Sequence, residues 1–332
     1  MPVYNGEKYV AEAIHSILKQ SFENFELLVI DDGSRDSSAD IVSQIRDDRI
    51  RLIKNEKNLG VAKSLNKLIL ESQGEFVARM DADDIALPNR FEKQLNYIEE
   101  NSDISICGSW VKCFGEEDHI FRYPEHHREN RLQLLLAPCF AHPAVMWRKS
   151  DFIKNDLKYQ EDPPTAEDYD LWVKASKKLK LANVQEVLLE YRMDPQIKVS
   201  SYILQQREGN FRLKKELLTE LLGCSASDEK VRLWSYMVGS MDQLESASSS
   251  ELALELICLM SAMNSKSGIY DQKSLNDVLI RAFYSYLSKQ HLFPIRQWIG
   301  MKLTGEFKKP IEYLLKLFVK FFLLKIKLKR FD

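Results

Sequence analysis

The pattern of apolar and polar positions in the first part of the chain predicts alternating helices and strands. Apolar side chains recur with helical spacing at Tyr9, Ala13 and Ile17, and a run of mainly apolar residues from Phe25 to Ile30 is typical of a buried strand. The same alternation continues with predicted helices at 36–46, 61–71 and 88–100 and extended segments at 50–53 and 75–80. Short strands separated by helices predict an α/β fold with a mostly parallel sheet flanked by helices.

The character of the sequence changes near residue 200, where long helix-compatible segments rich in Leu, Lys and Glu begin. We therefore predict an α/β domain at 1–200, a helical region at 201–304 and a separate terminal helix at 305–332, the last two forming an α-helical C-terminal extension. Four lysines of the terminal helix fall within about 40° of one another on a helical wheel: Lys309, Lys316, Lys320 and Lys327. This basic stripe beside a broad apolar face predicts contact with an anionic membrane surface. The alternative is packing on the helical region or on a second subunit.

The composition and the cysteine spacing exclude several classes of protein. The 332 residues are 45% hydrophobic and 29% charged with a net charge of -2, which is typical of a soluble globular protein and gives no indication of a nucleic-acid partner. The five cysteines lack paired CxxC spacing, so neither a zinc knuckle nor a disulfide framework is predicted. No secretory signal and no uninterrupted apolar stretch of about 18 residues is present, which favours a cytoplasmic protein.

Two acidic clusters follow predicted strands directly. Asp31 and Asp32 follow the first apolar run, and Asp81 and Asp83 follow the extended segment 75–80. Ligands of open α/β sheets bind outside the carboxyl ends of the strands, so both clusters are predicted to meet on one rim.

Each cluster has a structural and a functional interpretation. Asp81 and Asp83 are two residues apart, so in an extended segment both side chains point the same way and suit one Mn2+ or Mg2+ ion. Such an ion neutralises the charge of a departing nucleoside diphosphate, whereas the alternative is a solvated acidic loop. Asp31 and Asp32 fit either a turn before a helix cap or acceptors for the N–H and hydroxyl groups of a nucleoside.

A third acidic pair, Glu167 and Asp168, begins a predicted helix. These acids are either first-turn residues favoured by the helix dipole or include a general base for an acceptor hydroxyl. One base without a second nucleophile would invert the configuration of the attacked carbon.

Five segments, in this order and spacing, resemble family 2 glycosyltransferases of the GT-A fold: PVYNGEKYVAEAIHSILKQSFENFELLVIDDGSRD, NLGVAKSLN, GEFVARMDADD, PNRFEKQ and AEDYDLW. The resemblance covers about residues 1–200, and the joint occurrence of the motifs is specific although each alone is weak. It implies a UDP-sugar donor whose uracil packs near Tyr4, with Asp32 accepting from the base and Asp31 close by. Asp83 would be the principal metal ligand, and Asp81 would help to hold the metal or the ribose.

The resemblance also implies roles outside these clusters. Asp168 would be the general base of an inverting displacement, with Glu167 supporting it. His142, in Ala-His-Pro, and Arg192, in Tyr-Arg, match family positions. Beside a proline, His142 has a structural alternative, whereas the fixed fork of Arg192 suits diphosphate oxygens.

Two further matches, Arg90 and Gln94, are interpreted as salt-bridging helix residues. One departure concerns the apolar strand that precedes Pro-Val-Tyr-Asn in the family, because this sequence starts at Met1 and the first strand is predicted to be missing. A central strand pairs on both sides, so its loss would leave backbone groups unpaired. Either the start is misplaced or the protein is a degenerate relative that binds nucleotide sugar or membrane without turnover.

The expected function is an inverting glycosyltransferase that moves a sugar to a glycan or lipid-linked acceptor in cell-surface polysaccharide biosynthesis, at the inner face of the cytoplasmic membrane. A nucleotidyltransferase is the nearest rival class, but its usual Gly-rich basic phosphate loop is absent from the N-terminal region. A dehydrogenase is disfavoured because no GxGxxG follows a strand.

Overall fold

The computed structural model describes residues 1–161, 166–193, 200–241 and 250–289. The chain divides into two compact units, Met1–Leu213 and a second that begins at Lys214. The predicted basic helix at 305–332 lies outside the described residues. In the part of the chain that is described, no helix has both the length and the apolar character needed to cross a membrane.

The described strands are β1 (Pro2–Val3), β2 (Leu27–Asp31), β3 (Ile50–Lys54), β4 (Phe76–Ala78), β5 (Ile85–Ala86), β6 (Ile104–Gly115), β7 (Ile120–Phe121), β8 (Met146–Arg148) and β9 (Lys180–Met193). The described helices are α1 (Val10–Leu18), α2 (Ser38–Gln44), α3 (Val61–Glu71), α4 (Arg90–Glu100), α5 (His127–Gln133), α6 (Lys149–Lys154), α7 (Glu167–Ser176), α8 (Ser200–Leu222), α9 (Asp228–Met237), α10 (Ser250–Ser267) and α11 (Gln272–Lys289). A short 3₁₀ helix covers His142–Ala144.

The strands of the first unit form two sheets. The smaller sheet has the order β1-β2-β3 and is parallel throughout. The larger sheet has the order β4-β8-β6-β9-β5, with β7 on β6. It is mixed, because among the described strands β6 and β9 pair in parallel and the other neighbouring strands pair antiparallel. The prediction of a mostly parallel sheet is therefore wrong for the larger sheet. The connection from β6 to β7 is a short hairpin, which imposes antiparallel pairing.

At the start of the chain, β1 pairs in parallel with β2, with Pro2 opposite Ile30 and Val3 opposite Asp31. The N–H of Ile30 donates to the Met1 carbonyl at 2.9 Å, and the N–H of Asp32 donates to the Val3 carbonyl at 2.8 Å. This short strand therefore fixes the loop after residue 3 beside the carboxyl end of β2.

The core of the first unit joins one face of α1 to both sheets. Val10, Ile14 and Ile17 share that face and are buried together with Val29 of β2 and Val111 of β6. Burying each aliphatic side chain contributes about 1.5–3 kcal/mol, so this core fixes the strand ends that carry the acidic segments.

The second unit is helical in the part that is described, as expected of an α-helical C-terminal extension. Trp234 of α9, Met260 of α10 and Leu275 of α11 are fully buried. Ser227 caps α9 by accepting a hydrogen bond from the N–H of Lys230 at 3.4 Å.

Candidate active site

The loops after β1 and β2 are joined by side chains that cap backbone N–H groups. The N–H of Asn5 donates to Ser34 Oγ at 3.0 Å, and the N–H of Arg35 donates back to Asn5 Oδ1 at 2.9 Å. The N–H of Gly6 donates to Ser38 Oγ at 2.7 Å. Such reciprocal bonds satisfy polar backbone groups that no strand pairs, and so hold the two loops in one geometry.

The two aspartates at the end of β2 are both buried, and Asp32 holds the loop between β3 and α3. Its Oδ1 accepts from Asn55 Nδ2 at 2.8 Å and from the N–H of Leu59 at 3.0 Å, and its Oδ2 accepts from the N–H of Gly60 at 2.9 Å. A carboxylate has about four acceptor sites. An N–H group of a nucleobase would therefore have to use the one acceptor site of Asp32 that the 55–60 loop leaves open. The contact of Asp31 and Asp32 with a nucleoside stays a prediction.

The loop between β3 and α3 also packs closely against Gly33. Gly33 has a φ of 73°, and a Cβ there would lie 2.6 Å from the Lys57 carbonyl carbon, so only glycine fits. Tyr4 directly follows Val3, which pairs with Asp31, and 46% of the Tyr4 surface is exposed. An aromatic face is thus available at the rim where the sequence places the base.

The second acidic cluster follows β4. Asp81, Asp83 and Asp84 each offer a carboxylate oxygen within 4.8 Å of the others. Asp84 is buried; its Oδ1 accepts from the N–H of Arg192 at 2.9 Å, whereas its Oδ2 has no hydrogen-bond partner among the described residues. Three converging carboxylates, one with an unsatisfied buried oxygen, fit a hard divalent cation.

The electrostatics of this cluster also favour a cation. Burial and the charge of Asp81 raise the pKa of Asp83 to about 6. Burial and the charges of both neighbours raise the pKa of Asp84 well above its usual range. Like charges this close ionise together only at a cost, which a bound cation offsets.

Arg79, which the sequence analysis did not single out, forms a two-pronged ion pair with Asp81. Its Nη1 and Nη2 donate to the two carboxylate oxygens at 2.5 Å each, and its side chain is buried. The backbone of Arg79 is fixed as well, since its N–H donates to Val145 and its carbonyl accepts from Arg90. A spacing of two in an extended segment puts Arg79 and Asp81 on one side, so the signal was present in the sequence.

Arg90 and Gln94 are buried in the core rather than salt-bridged on a helix surface. Arg90 donates through Nη2 to the Arg79 carbonyl at 2.7 Å and through Nε to Gln94 Oε1 at 3.0 Å, and Gln94 Nε2 donates to the carbonyls of Cys107 and Ala144. Among the described residues Arg90 has no ion pair with a carboxylate. Burial, with the Arg79 charge, lowers the pKa of Arg90 to about 9. Both residues brace the backbone behind the acidic cluster.

Arg192, at the end of β9, lies against the loop that carries the acids. Its Nε donates to the Asp83 carbonyl at 2.8 Å, and its Nη2 donates to Glu12 Oε2 at 2.6 Å. Its guanidinium stands over the rings of Tyr9 and Phe114 at 4.0 and 4.4 Å. Arg192 is therefore held beside the acidic cluster, and its contact with a diphosphate stays a prediction.

The loop after β1 lies beside the loop that carries the second acidic cluster. A Cβ on Gly6 would lie 4.0 Å from the Ala82 Cβ, so the loop after β1 contacts the loop after β4. The buried Met1 amine belongs to the same region: burial, with the Arg79 charge, lowers its pKa to about 5. The meeting of both acidic clusters on one rim stays a prediction.

Asp168 lies in the first turn of α7, after Ala166, whose φ of 49° is left-handed. Its Oδ1 accepts from the N–H of Tyr169 at 2.7 Å. Burial and the charge of Glu167 raise the pKa of Asp168 to about 6. The helix end favours acids here, but the raised pKa is also what a general base near neutral pH requires.

His142 belongs to the same part of the site. Its ring lies 6.1 Å from that of Trp172, which is one helical turn after Asp168 on α7 and so shares its face. Its Nε2 lies 2.9 Å from the Tyr159 hydroxyl. Burial, with the Arg79 charge, lowers the pKa of His142 well below its usual range, so the ring is neutral.

Tyr159 was not found from the sequence, because nothing local distinguishes it. Asn66 of α3 holds it by accepting from the Tyr159 N–H at 2.9 Å and donating to the Tyr159 carbonyl at 2.9 Å. Burial is the main cause of the pKa shifts of Tyr159, His142 and Asp168, and the Arg79 charge acts on all three. The charge of Arg79, which is paired with Asp81, therefore also acts on the candidate base.

Comparison with solved structures identifies the fold. The chain matches the crystal structure of S. aureus TarS 1-349 in complex with UDP-GlcNAc with a TM-score of 0.59, covering 88% of this chain and 91% of that one at 17% sequence identity. A likeness at this identity shows the fold, which is GT-A-like.

Sequence comparison identifies the family. The model described as glycosyl transferase family 2 matches residues 1–155. An uncharacterized glycosyltransferase of Haemophilus influenzae is 34% identical over 241 residues, 69% of this chain and 75% of the relative. The O-antigen biosynthesis glycosyltransferase WbnJ of Escherichia coli is 30% identical over 239 residues, 68% of this chain and 91% of the relative. The chain belongs to family 2 of the glycosyltransferases, which confirms the family and the fold predicted from the sequence.

Proposed function

We propose that this glycosyltransferase is a metal-dependent, inverting enzyme that transfers a sugar from a UDP-sugar to a hydroxyl of a glycan or lipid-linked acceptor. The observation that carries the proposal is a cluster of three converging carboxylates together with a separate buried carboxylate, Asp168, whose pKa is raised to about 6. The names of two similar proteins support the donor and the pathway: TarS is complexed with UDP-GlcNAc, and WbnJ serves O-antigen biosynthesis. A role in cell-surface polysaccharide biosynthesis is inferred for this chain on that basis.

The donor would lie along the rim formed by the loops after β1, β2 and β4. Tyr4 offers an aromatic face for the base, and Asp31 and Asp32 offer acceptors for the nucleoside. Asp83 and Asp81 would hold Mn2+ or Mg2+, which when bound neutralises the charge that develops on the diphosphate. Arg192 adds a fixed guanidinium beside that charge.

Asp168 would remove the proton from the acceptor hydroxyl as its oxygen attacks the anomeric carbon. A single base with no second carboxylate acting as nucleophile gives direct displacement and inversion. Glu167 supports this role by raising the pKa of Asp168 through its charge. His142 and Tyr159 position the face of α7 from which Asp168 projects, since His142 contacts Trp172 and Tyr159.

Attachment at the cytoplasmic face of the membrane belongs to the same proposal. A lipid-linked acceptor would be presented there, and the basic stripe in the sequence of 305–332 suits anionic lipid.

The pH dependence of transfer is expected to follow Asp168. A base acts only when deprotonated, so kcat should rise with pH and reach half of its plateau near pH 6. At pH 5 it should be about tenfold below the plateau. The measurement is kcat against pH at saturating donor. Because the pKa of Asp83 is also about 6, the profile is recorded at two saturating metal concentrations. An acidic limb that moves with metal would assign the titration to Asp83, and a flat profile would contradict the role of Asp168.

Calorimetric titration of UDP into the full chain tests the donor site. Binding is expected with Mn2+ and is expected to be lost with chelator, and GDP and CDP serve as controls for the base. After the binding measurement, UDP-sugars are tested as donors, and turnover is measured as released UDP. Binding of UDP without turnover of any donor would favour the degenerate relative, and no binding would contradict the donor assignment.

A further inference from the structure

The guanidinium of Arg192 is held along one edge by two acceptors from separate segments. Its Nε donates to the Asp83 carbonyl at 2.8 Å, and its Nη2 donates to Glu12 Oε2 at 2.6 Å. Glu12 belongs to the first turn of α1, which follows the loop after β1, whereas Asp83 belongs to the acidic loop after β4. Because the group is planar and rigid, two contacts on one edge fix the direction in which it points.

Two aromatic rings contact the same guanidinium. Its central carbon lies 4.0 Å from the centre of the Tyr9 ring and 4.4 Å from the centre of the Phe114 ring. Tyr9 is the N-cap residue of α1, and Phe114 lies opposite Arg192 in the pairing of β6 with β9. An aromatic face attracts a cation without using its N–H groups. The rings therefore hold Arg192 and leave its N–H groups available to other acceptors.

One nitrogen of the guanidinium is left over. Among the described residues Nη1 has no hydrogen-bond partner, whereas Nε and Nη2 each have one. Nη1 is not among the fully buried atoms that lack a partner, and 15% of the Arg192 side chain is exposed. The Nη1 end is therefore the part of the fork that an anionic ligand can reach, and such a fork matches phosphate oxygens.

The clamped arginine is attached directly to the acidic loop. Besides the contact of its Nε with the Asp83 carbonyl, its backbone N–H donates to Asp84 Oδ1 at 2.9 Å. Arg192 is thus fixed to two consecutive residues of the cluster proposed to bind the metal. A diphosphate held by a cation at Asp83 would lie next to a guanidinium that is already oriented.

We propose that Glu12 and Phe114 are positioning residues, which hold Arg192 so that its Nη1 end meets the diphosphate of the nucleotide sugar. The inference rests on the proposed function and gives Glu12 no contact with the nucleotide. A free arginine side chain samples many rotamers, and ordering it during binding would cost free energy. The contacts with Glu12 and Phe114 order the side chain in advance.

Position and charge at Glu12 have opposite effects. The Glu12 carboxylate is negative, so its charge by itself repels a diphosphate. Its side chain is 56% exposed, so water screens that repulsion. A positional role therefore predicts that loss of the contact weakens diphosphate binding, whereas a purely electrostatic role predicts that loss of the charge strengthens it.

The test separates the two effects in the full chain. Glu12→Asp keeps the charge but shortens the side chain by one CH2 group, which withdraws the carboxylate from Nη2. Glu12→Gln keeps the length and an acceptor oxygen but removes the charge. By calorimetry in saturating Mg2+, UDP is expected to bind about two- to fivefold more weakly to Glu12→Asp and no more weakly to Glu12→Gln. Glu99→Asp is the matched control, because Glu99 is an exposed glutamate of α4.

Phe114→Leu is a second variant, which removes the stacked ring without changing any charge. Its affinity for UDP is expected to fall by about two- to fivefold. Uridine, which has no diphosphate, should bind to every variant as it binds to wild type. A merely structural role of Glu12 or Phe114 would instead lower the affinities for uridine and UDP together.

Pyrophosphate in Mg2+ separates this inference from the proposed function. Weaker pyrophosphate binding to Glu12→Asp than to wild type supports the positioning role even if UDP does not bind, in which case only the UDP assignment fails. Wild-type affinity of Glu12→Asp for both UDP and pyrophosphate overturns the inference. An equal loss of uridine affinity in that variant, or a wild-type protein that binds neither UDP nor pyrophosphate, overturns it as well.

Discussion

Asp168→Asn is expected to reduce sugar transfer by about 10²–10⁴-fold while leaving the affinity for UDP within about twofold of wild type. Asparagine has the size of aspartate and can still accept from the N–H of Tyr169, but it cannot take a proton from the acceptor. Because the proton is transferred only as the acceptor attacks, the loss should fall on kcat rather than on donor binding. Transfer rates and calorimetry of the same preparation measure the two effects.

Glu167→Gln is the matched control for this variant. It removes the neighbouring charge that contributes to the raised pKa of Asp168, so the acidic limb of the pH profile should move to lower pH while most of the plateau activity remains. An Asp168→Asn protein with transfer within a few-fold of wild type would refute the assignment of the base. A larger loss in Glu167→Gln than in Asp168→Asn would transfer that role to Glu167.

Asp83→Ala is expected to weaken UDP binding in Mn2+ by at least about 100-fold and to leave the residual binding insensitive to chelator. Asp83 is less buried than Asp84. Its other acidic neighbour, Asp81, is already paired with Arg79. Removal of Asp83 therefore deletes the carboxylate most available to a cation. The measurement is calorimetric titration with metal and with chelator.

The matched control is Asp40→Ala, which removes the same charge from an exposed position on α2. Stability provides a second check, because the raised pKa of Asp83 means that its ionised form is unfavourable in the folded metal-free protein. Without metal, Asp83→Ala should therefore unfold at an equal or higher temperature than wild type. Equal UDP affinity of Asp83→Ala and wild type in Mn2+ would contradict the metal assignment.

The sequence predicted the features that depend on local pattern. Helix α3 was predicted at 61–71 and forms Val61–Glu71, and the acids at 31–32 and 81–84 lie at strand ends as expected. Strand direction in the larger sheet was predicted wrongly as mostly parallel, because the helix–strand alternation ends after α4 and pairing there depends on a hairpin and on contacts distant in sequence.

Within the site, the sequence missed contacts that only tertiary structure creates. Tyr159 reaches His142 and is held by Asn66, almost a hundred residues earlier in the chain. Asp32 was interpreted as a ligand for the base, and the structure adds three hydrogen bonds to the 55–60 loop. Arg79 could have been found from its spacing of two before Asp81.

The ion pair between Arg79 and Asp81 has a consequence for how the enzyme matures. Proteins whose metal ligands have no other counter-charge often fold only as the metal arrives. Here a guanidinium fixed to the Val145 backbone already balances part of the acidic cluster. If the cluster holds a cation as proposed, folding does not have to wait for that cation, so a shortage of the metal in the cell would leave a pool of folded enzyme ready for activation rather than unfolded chains for degradation.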